Sequence, residues 1–172
     1  MLHSGGAMYV VMVAPECAPT AKASGLGDVV SGLSRELELR GNTVEIIVPK
    51  YASLRYSEVR DLQPSHHDLP VPWYGGIVRC TVWSGSVSGR KCLLIEPHSP
   101  AGFFARDRLY GYADDAERFA VFSKAALEFM TRAGKRPDVI HCHDWCSGPP
   151  DWAAPTTSST PACSAMTSTD TG

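Results

Sequence analysis

The chain has 172 residues, of which 44% are hydrophobic and 20% are charged, a balance typical of a soluble globular protein with one well-packed domain. Its formal net charge of -2 and its pI near 6.3 argue against a nucleic-acid partner held by bulk electrostatics. No stretch approaches the length of a membrane span, so we expect no membrane partner, and the first residues are too few for a signal peptide.

The first predicted element is a short strand, because residues 9–13 form an apolar run rich in valine. A loop with prolines and two glycines follows, and then an amphipathic stretch, which predicts strand, loop and helix at the edge of a parallel sheet. The loop contains Lys22, while Gly25 and Gly27 let the backbone approach a ligand closely. A cation beside a helix N-terminus is a suitable place for a phosphate group.

Two well-known phosphate-binding patterns do not fit this loop. The dinucleotide pattern G-x-G-x-x-G lacks its third glycine after Gly25 and Gly27, and the P-loop pattern fails because Lys22 precedes the glycines. From the residues alone, a phosphate site and a plain glycine turn with a solvated lysine are equally good interpretations.

Apolar residues at helical spacing predict a helix over residues 29–40, which Gly41 ends, and residues 43–48 indicate a second buried strand. Strand, helix and strand of these lengths form a right-handed βαβ unit, so we predict an α/β fold with a doubly wound, mainly parallel sheet. Ligands of such sheets gather beyond the carboxyl ends of the strands, where the Lys22 loop and Lys50 leave the sheet.

The middle of the chain predicts antiparallel structure. Residues 76–89 and 91–95 have the pattern of two strands joined by a Gly/Ser turn. His66 and His67 precede them in a polar stretch bounded by prolines, which we interpret as a solvated surface loop.

The strongest helix signal covers about residues 116–133, where phenylalanines and alanines form an apolar stripe. Asp114 or Asp115 is a candidate N-cap. A short strand is predicted over residues 137–141, so the His-Asp-Trp sequence at 143–145 lies just past its carboxyl end.

The composition changes after Gly148. Proline, serine and threonine dominate residues 149–172, which we predict to be a low-complexity, disordered tail. The predicted domain, residues 8–148, then ends soon after a sheet strand, so we interpret it as incomplete and the chain as truncated or spliced.

The cysteines suggest free thiols in a reducing compartment, because the six of them are scattered without C-x-x-C pairs. His141 and His143, flanked by Cys142 and Cys146, invite a zinc interpretation, but no second ligand cluster has suitable spacing. We therefore expect no metal.

Three segments, in this order, resemble signatures of the starch synthases and bacterial glycogen synthases. Glu16-Cys-Ala-Pro19 followed by Lys22-Ala-Ser-Gly25-Leu-Gly27-Asp28-Val-Val resembles the family's lysine-x-Gly-Gly-Leu-(Gly/Ala)-Asp-Val signature. Residues 110–128 resemble the family's helix region, and residues 137–145 its Asp-Val-Ile-His-x-His-Asp-Trp strand end. Within the family, we expect the strongest resemblance to be to the plant and algal soluble starch synthases of the type III or IV branch.

This resemblance implies a retaining glucosyltransferase that moves glucose from ADP-glucose to the non-reducing end of an α-1,4-glucan, without a cofactor. It implies a GT-B architecture of two Rossmann-like halves facing a cleft, with this chain as the N-terminal, mainly acceptor-side half. The missing C-terminal GT-B domain would be its partner. A plastid location, chloroplast or amyloplast, is implied by the family alone.

The resemblance also implies the site residues. Lys22 takes the position of the lysine that reaches the donor, where a cation offsets charge on the departing ADP phosphate, with Gly25 and Asp28 beside it. Asp144 is placed near the acceptor glucan, and His143 and Trp145 share its motif. The implied catalytic residues are thus Lys22 and Asp144, and the implied substrate-binding set is Lys22, Gly25, Asp28, His143, Asp144 and Trp145.

The chain departs from the family pattern at two places. Ser24 stands where the family usually has the first of two glycines, and the His-Asn-Leu motif expected after residue 145 is absent. We therefore expect the chain alone to lack appreciable catalysis. A non-catalytic glucan-binding or complex-binding fragment, or another GT-B enzyme that uses a sugar nucleotide, are the alternatives.

Overall fold

The structure, a computed structural model, describes residues 6–148. Within that range the strands are β1 (Tyr9–Val13), β2 (Thr43–Pro49), β3 (Val59–Trp73), β4 (Gly76–Val87), β5 (Arg90–His98) and β6 (Val139–Cys142). The helices are α1 (Leu26–Leu39) and α2 (Asp115–Arg132), with short 3-10 turns at Tyr56–Glu58 and Trp145–Ser147. The tail predicted for residues 149–172 lies outside the described residues.

The described strands form one sheet in the order β3-β4-β5-β2-β1-β6. β5, β2, β1 and β6 are parallel, and β3 and β4 add an antiparallel meander beside β5. The connections through α1 and α2 run in opposite directions across the sheet, so right-handed crossovers put the two helices on opposite faces. The predicted doubly wound, mainly parallel α/β architecture is confirmed.

The central strands are buried on both faces, as a sheet covered by helices requires. Every residue of β1 after Tyr9 and of β2 after Thr43 is buried. On β5, the Arg90 guanidinium donates a hydrogen bond to the Ser31 hydroxyl of α1 over 3.0 Å. The continuous apolar runs in the sequence therefore correspond to β1 and β2, the central strands of the sheet.

The prediction of a loop around His66 and His67 is wrong, because both residues lie in β3. The edge strand β3 contains prolines and pairs with β4 through several register shifts, which break the alternation that marks a strand in sequence. Asp61 and Asp68 take positive φ angles of 52° and 57°. The His66 ring packs edge-on against Phe129 of α2 at 5.0 Å, so it is half-buried rather than solvated.

The helix starts differ from the predictions in smaller ways. α1 begins at Leu26, so Asp28 lies in its first turn and complements the helix dipole. Asp114 occupies the N-cap position of α2, but its carboxylate binds Arg106 at 2.6 Å instead of capping. Asp115 accepts hydrogen bonds from two backbone amides of the preceding loop.

Within residues 6–148, no helix has the length and apolar character needed to cross a membrane.

An ion-pair cluster around the buried Glu45 connects elements at the amino-terminal edge of the sheet. Glu45 on β2 accepts hydrogen bonds from Lys135 at 2.7 Å and from the Tyr9 hydroxyl at 2.9 Å, and it also pairs with Lys91 at 2.9 Å. Burial alone would raise the pKa of Glu45, but these partners outweigh burial and lower its pKa. The ionised carboxylate thus links β2 to the connection between α2 and β6.

We predict that Glu45→Gln lowers the free energy of unfolding by about 1.5–3 kcal/mol at neutral pH, because the mostly buried Lys135 loses its charged partner. The folded pKa lies below the unfolded one, so this contribution is present above the unfolded pKa and is lost as pH falls through the folded pKa. Chemical denaturation at several pH values measures it, with the exposed Glu58→Gln as matched control. A difference from wild type that stays constant into acid would contradict the assignment.

Candidate functional site

The carboxyl edge of the parallel strands collects the segments that the sequence singles out. Backbone hydrogen bonds continue the strand pairing just past the strands, from Ala14 to Ile47, from Lys50 to Ile95 and from His143 to Val13. β1 and β6 are neighbours, so the loop after β1 and the His-Asp-Trp sequence after β6 leave the sheet side by side. This edge is where sheets of this kind bind ligands.

The segment after β1, residues 14–25, is called here the Lys22 loop. Cys17 and Ala21 exchange both backbone hydrogen bonds at 2.9 Å, and the Ala18 amide donates to the Gly27 carbonyl at 3.0 Å. A Cβ on Gly27 would lie 3.3 Å from two backbone atoms of this loop, whereas Gly25 borders open space. Gly27 therefore lets the loop pack on α1, and Gly25 leaves room for a ligand.

Lys22 and Asp28, both predicted site residues, form an ion pair at the start of α1. Lys22 Nζ lies 2.6 Å from Asp28 Oδ2, and the two side chains are 45% and 58% exposed. Gly25 is the N-cap residue and has no side chain to cap the helix. An ion pair this exposed contributes at most about 1 kcal/mol, so the ammonium group can exchange Asp28 for a more highly charged anion. The positive end of the α1 dipole favours the same anion.

Glu16 lies in the Lys22 loop and is fully buried. From described residues its carboxylate accepts hydrogen bonds from the amides of Ala23 (2.7 Å) and Ser24 (2.9 Å), and from the hydroxyls of Ser24 (2.8 Å) and Tyr110 (2.8 Å). Burial alone would raise the pKa of Glu16, but these bonds outweigh burial and lower its pKa. Glu16 is therefore ionised at neutral pH, and it holds the two residues that follow Lys22.

His143 follows β6 and is buried, with its ring stacked on that of His141 at a centroid distance of 4.0 Å. Burial, and secondly the neighbouring His141, lower the pKa of His143 to about 4, so the imidazole is neutral at pH 7. Its Nε2 atom has no hydrogen-bond partner among the described residues. A buried polar atom in this position is a candidate contact for a ligand or for another part of the protein.

Asp144 and Trp145 complete the segment after β6. Asp144 has a φ of 68°, a strained conformation for a residue other than glycine and one that recurs at functional sites. Its exposed carboxylate accepts the Trp145 amide at 2.6 Å. Trp145 is 58% exposed, and its ring rests edge-on against Phe119 of α2 at 5.9 Å.

The Lys22–Asp28 pair and the residues after β6 lie at the same edge of the sheet. Among the described residues, no hydrogen bond or ion pair joins Lys22 to Asp144. Tyr110 links the two segments indirectly. Its hydroxyl donates a hydrogen bond to Glu16 of the Lys22 loop, and its ring packs on Phe119 of α2 at 5.7 Å. Phe119 also packs against Trp145, so the Lys22 loop and the segment after β6 share one aromatic support.

Sequence reasoning missed the supporting residues. Glu16 and Tyr110 both stand in the quoted motifs, but their contact joins residues 94 positions apart, which spacing does not reveal. Arg118 was missed as well: its fully buried guanidinium binds the carbonyls of Phe103 and Leu109 and so fixes the loop that carries Tyr110. A charged residue three positions after an apolar strand was the available signal for Glu16.

Comparisons with known proteins identify the family of this chain. A family profile described as the starch synthase catalytic domain matches residues 9–163. Glycogen synthase 1 of Synechococcus sp. (strain JA-3-3Ab) is 58% identical over 141 residues, which are 82% of this chain and 29% of that protein. Probable starch synthase 4, chloroplastic/amyloplastic, of Arabidopsis thaliana is 47% identical over 138 residues, which are 80% of this chain and 13% of that protein.

A solved structure is similar over the same share of the chain. It is the catalytic domain of starch synthase IV from Arabidopsis thaliana bound to ADP and acarbose, with a TM-score of 0.80 and 46% sequence identity over 82% of this chain. The match covers 29% of that chain, and the bacterial relative is matched over 29% of its length as well. The fold is therefore that of the N-terminal part of a GT-B enzyme, and the chain belongs to the starch synthase catalytic domain family.

Proposed function

We propose that these residues form part of a glucosyltransferase that moves glucose from ADP-glucose to the non-reducing end of an α-1,4-glucan. The observation that carries this proposal is the Lys22–Asp28 pair, which presents a cation at the start of α1 beside the open space at Gly25. The named relatives are glycogen and starch synthases, and the similar Arabidopsis structure holds ADP and acarbose.

Lys22 acts on the donor. When the bond between glucose and ADP breaks, negative charge grows on the departing phosphate oxygen, and a nearby ammonium group stabilises that charge. Lys22 reaches the phosphate by leaving Asp28, a weak and exposed partner. Gly25 and the first turn of α1 border the same space and favour an anion there.

Asp144, His143 and Trp145 act on the acceptor. The exposed Asp144 carboxylate accepts hydrogen bonds from sugar hydroxyls, and the exposed Trp145 ring offers an apolar face to a glucose unit. The neutral His143 supplies an uncharged polar contact through its unpartnered Nε2. These groups orient the attacking hydroxyl without adding a second cation beside Lys22.

The proposed reaction needs a second wall of the cleft. We infer that a C-terminal GT-B domain outside residues 1–172 supplies it, because the chain spans about 29% of the length of the bacterial relatives that it matches.

A plastid location stays a prediction. The name of the plant relative supports it, whereas the relative with the higher identity reported above is bacterial.

We predict that Lys22→Ala lowers turnover at least about tenfold, equivalent to about 1.4 kcal/mol of transition-state stabilisation, and that Lys22→Arg lowers it less because it keeps the charge. The assay uses a hybrid enzyme in which residues 9–148 replace the matching segment of the Arabidopsis starch synthase IV catalytic domain. Radiolabelled glucose transferred from ADP-glucose to glycogen is measured, with Lys124→Ala on α2 as matched control. Equal rates in the wild-type and Lys22→Ala hybrids would remove Lys22 from the mechanism.

The polypeptide of residues 1–172 by itself should transfer no glucose to glycogen or amylopectin above background. The described residues provide one side of the site, and loss of positioning on the other side costs orders of magnitude in rate. Steady incorporation of radiolabel by this polypeptide, abolished by Lys22→Ala, would show that it forms a complete site.

We predict that His143 of the 172-residue chain stays neutral down to about pH 4. The unfolded histidine binds a proton near its ordinary pKa of 6.5, so folding stability falls as the pH drops from that value towards the folded pKa. Histidine NMR titration measures the folded pKa, with the resonance assigned by its loss in His143→Gln. A titration midpoint near 6.5 would mean that the imidazole is solvated and not part of a closed site.

A further inference from the structure

We propose that Glu16 and Ser24 are positioning residues that fix Lys22 for the nucleotide-sugar donor. They act through the loop that carries Lys22, and the proposal does not require either residue to contact the substrate. The inference rests on the proposed function of Lys22, and it concerns how this chain holds that lysine in place.

The Glu16 carboxylate controls the backbone immediately after Lys22. A single oxygen, Oε2, accepts the successive amides of Ala23 at 2.7 Å and Ser24 at 2.9 Å. Both bonds are charge-assisted, and the acceptor carboxylate belongs to a fully buried residue. Since two consecutive peptide groups point at one fixed atom, the direction in which the Lys22 side chain leaves the loop is fixed as well.

Ser24 connects the buried carboxylate to the helix. Its hydroxyl donates to Glu16 Oε1 at 2.8 Å and accepts the amide of Leu26, the first residue of α1, at 3.1 Å. The family signature that this loop resembles usually has glycine at this position, and glycine makes neither bond. Ser24 therefore couples the buried carboxylate to the N-terminal end of α1, where the donor phosphate is proposed to bind.

Tyr110 anchors Glu16 from the other side. Its hydroxyl donates to Glu16 Oε1 at 2.8 Å, and burial, with the adjacent carboxylate, raises the pKa of Tyr110, so the phenol stays protonated and remains a donor. The Tyr110 ring packs on Phe119 of α2. The carboxylate that orients the Lys22 loop is thus itself held against the core.

The first test is hydrogen–deuterium exchange on the 172-residue chain. Ser24→Ala should speed exchange of the Leu26 amide, and Glu16→Ala should speed exchange of the Ala23 and Ser24 amides by about tenfold or more, while α2 keeps its protection. Ser57→Ala and Glu58→Ala, in the exposed 3-10 turn, are the matched controls. Unchanged exchange at these three amides would overturn the inference.

The second test is a double-mutant cycle in the hybrid enzyme. Ser24→Ala and Glu16→Ala should each lower kcat/KM for ADP-glucose, by about tenfold to a hundredfold for Glu16→Ala, with partial rescue in Ser24→Thr and Glu16→Gln, which keep a hydroxyl and an acceptor oxygen. Combined with Lys22→Ala, they should add little further loss, because they act through that lysine.

The outcomes separate the two proposals. Losses that add fully to that of Lys22→Ala would show that Glu16 and Ser24 only stabilise the fold, and would overturn this inference while the proposed function stands. A Lys22→Ala hybrid with the wild-type rate would instead overturn the proposed role of Lys22. If Glu16→Ala fails to fold, Ser24→Ala carries the test, because its side chain is exposed and its loss leaves no buried cavity.

Discussion

The carboxylate of Glu16 is the constraint on which the site depends. It is buried at the carboxyl end of β1, where an ionised group survives only if hydrogen bonds replace water. The amides of Ala23 and Ser24 and the hydroxyls of Ser24 and Tyr110 supply them. The loop folds back over Glu16 to make these bonds. As a result, Lys22 lies at the surface beside the start of α1.

The sheet topology brings the proposed acceptor-binding residues to the same edge. β6 pairs with β1, so His143, Asp144 and Trp145 leave the sheet next to the Lys22 loop although about 120 residues separate them in sequence. The aromatic contacts of Phe119 with Tyr110 and Trp145 give both segments a common support on α2. A rigid base of this kind suits a reaction in which two substrates must meet in one geometry.

Most of the fold could be predicted from the sequence, because β1, β2, α2 and β6 carry strong local patterns. β3 could not, since prolines and register shifts in an edge strand erase the alternation that marks a strand. Lys22, Gly25 and Asp28 were predicted from one contiguous motif. Glu16 and Tyr110 were not, because their roles depend on a contact between distant segments.

The most direct test of the central claim is a crystal structure of the hybrid enzyme with ADP. We predict that Lys22 Nζ leaves Asp28 and lies within about 3 Å of a phosphate oxygen, a normal hydrogen-bond distance, while Glu16 keeps its bonds to Ala23 and Ser24. ADP bound away from this loop, with Lys22 still paired to Asp28, would contradict the claim that Glu16 and the start of α1 prepare Lys22 for the donor.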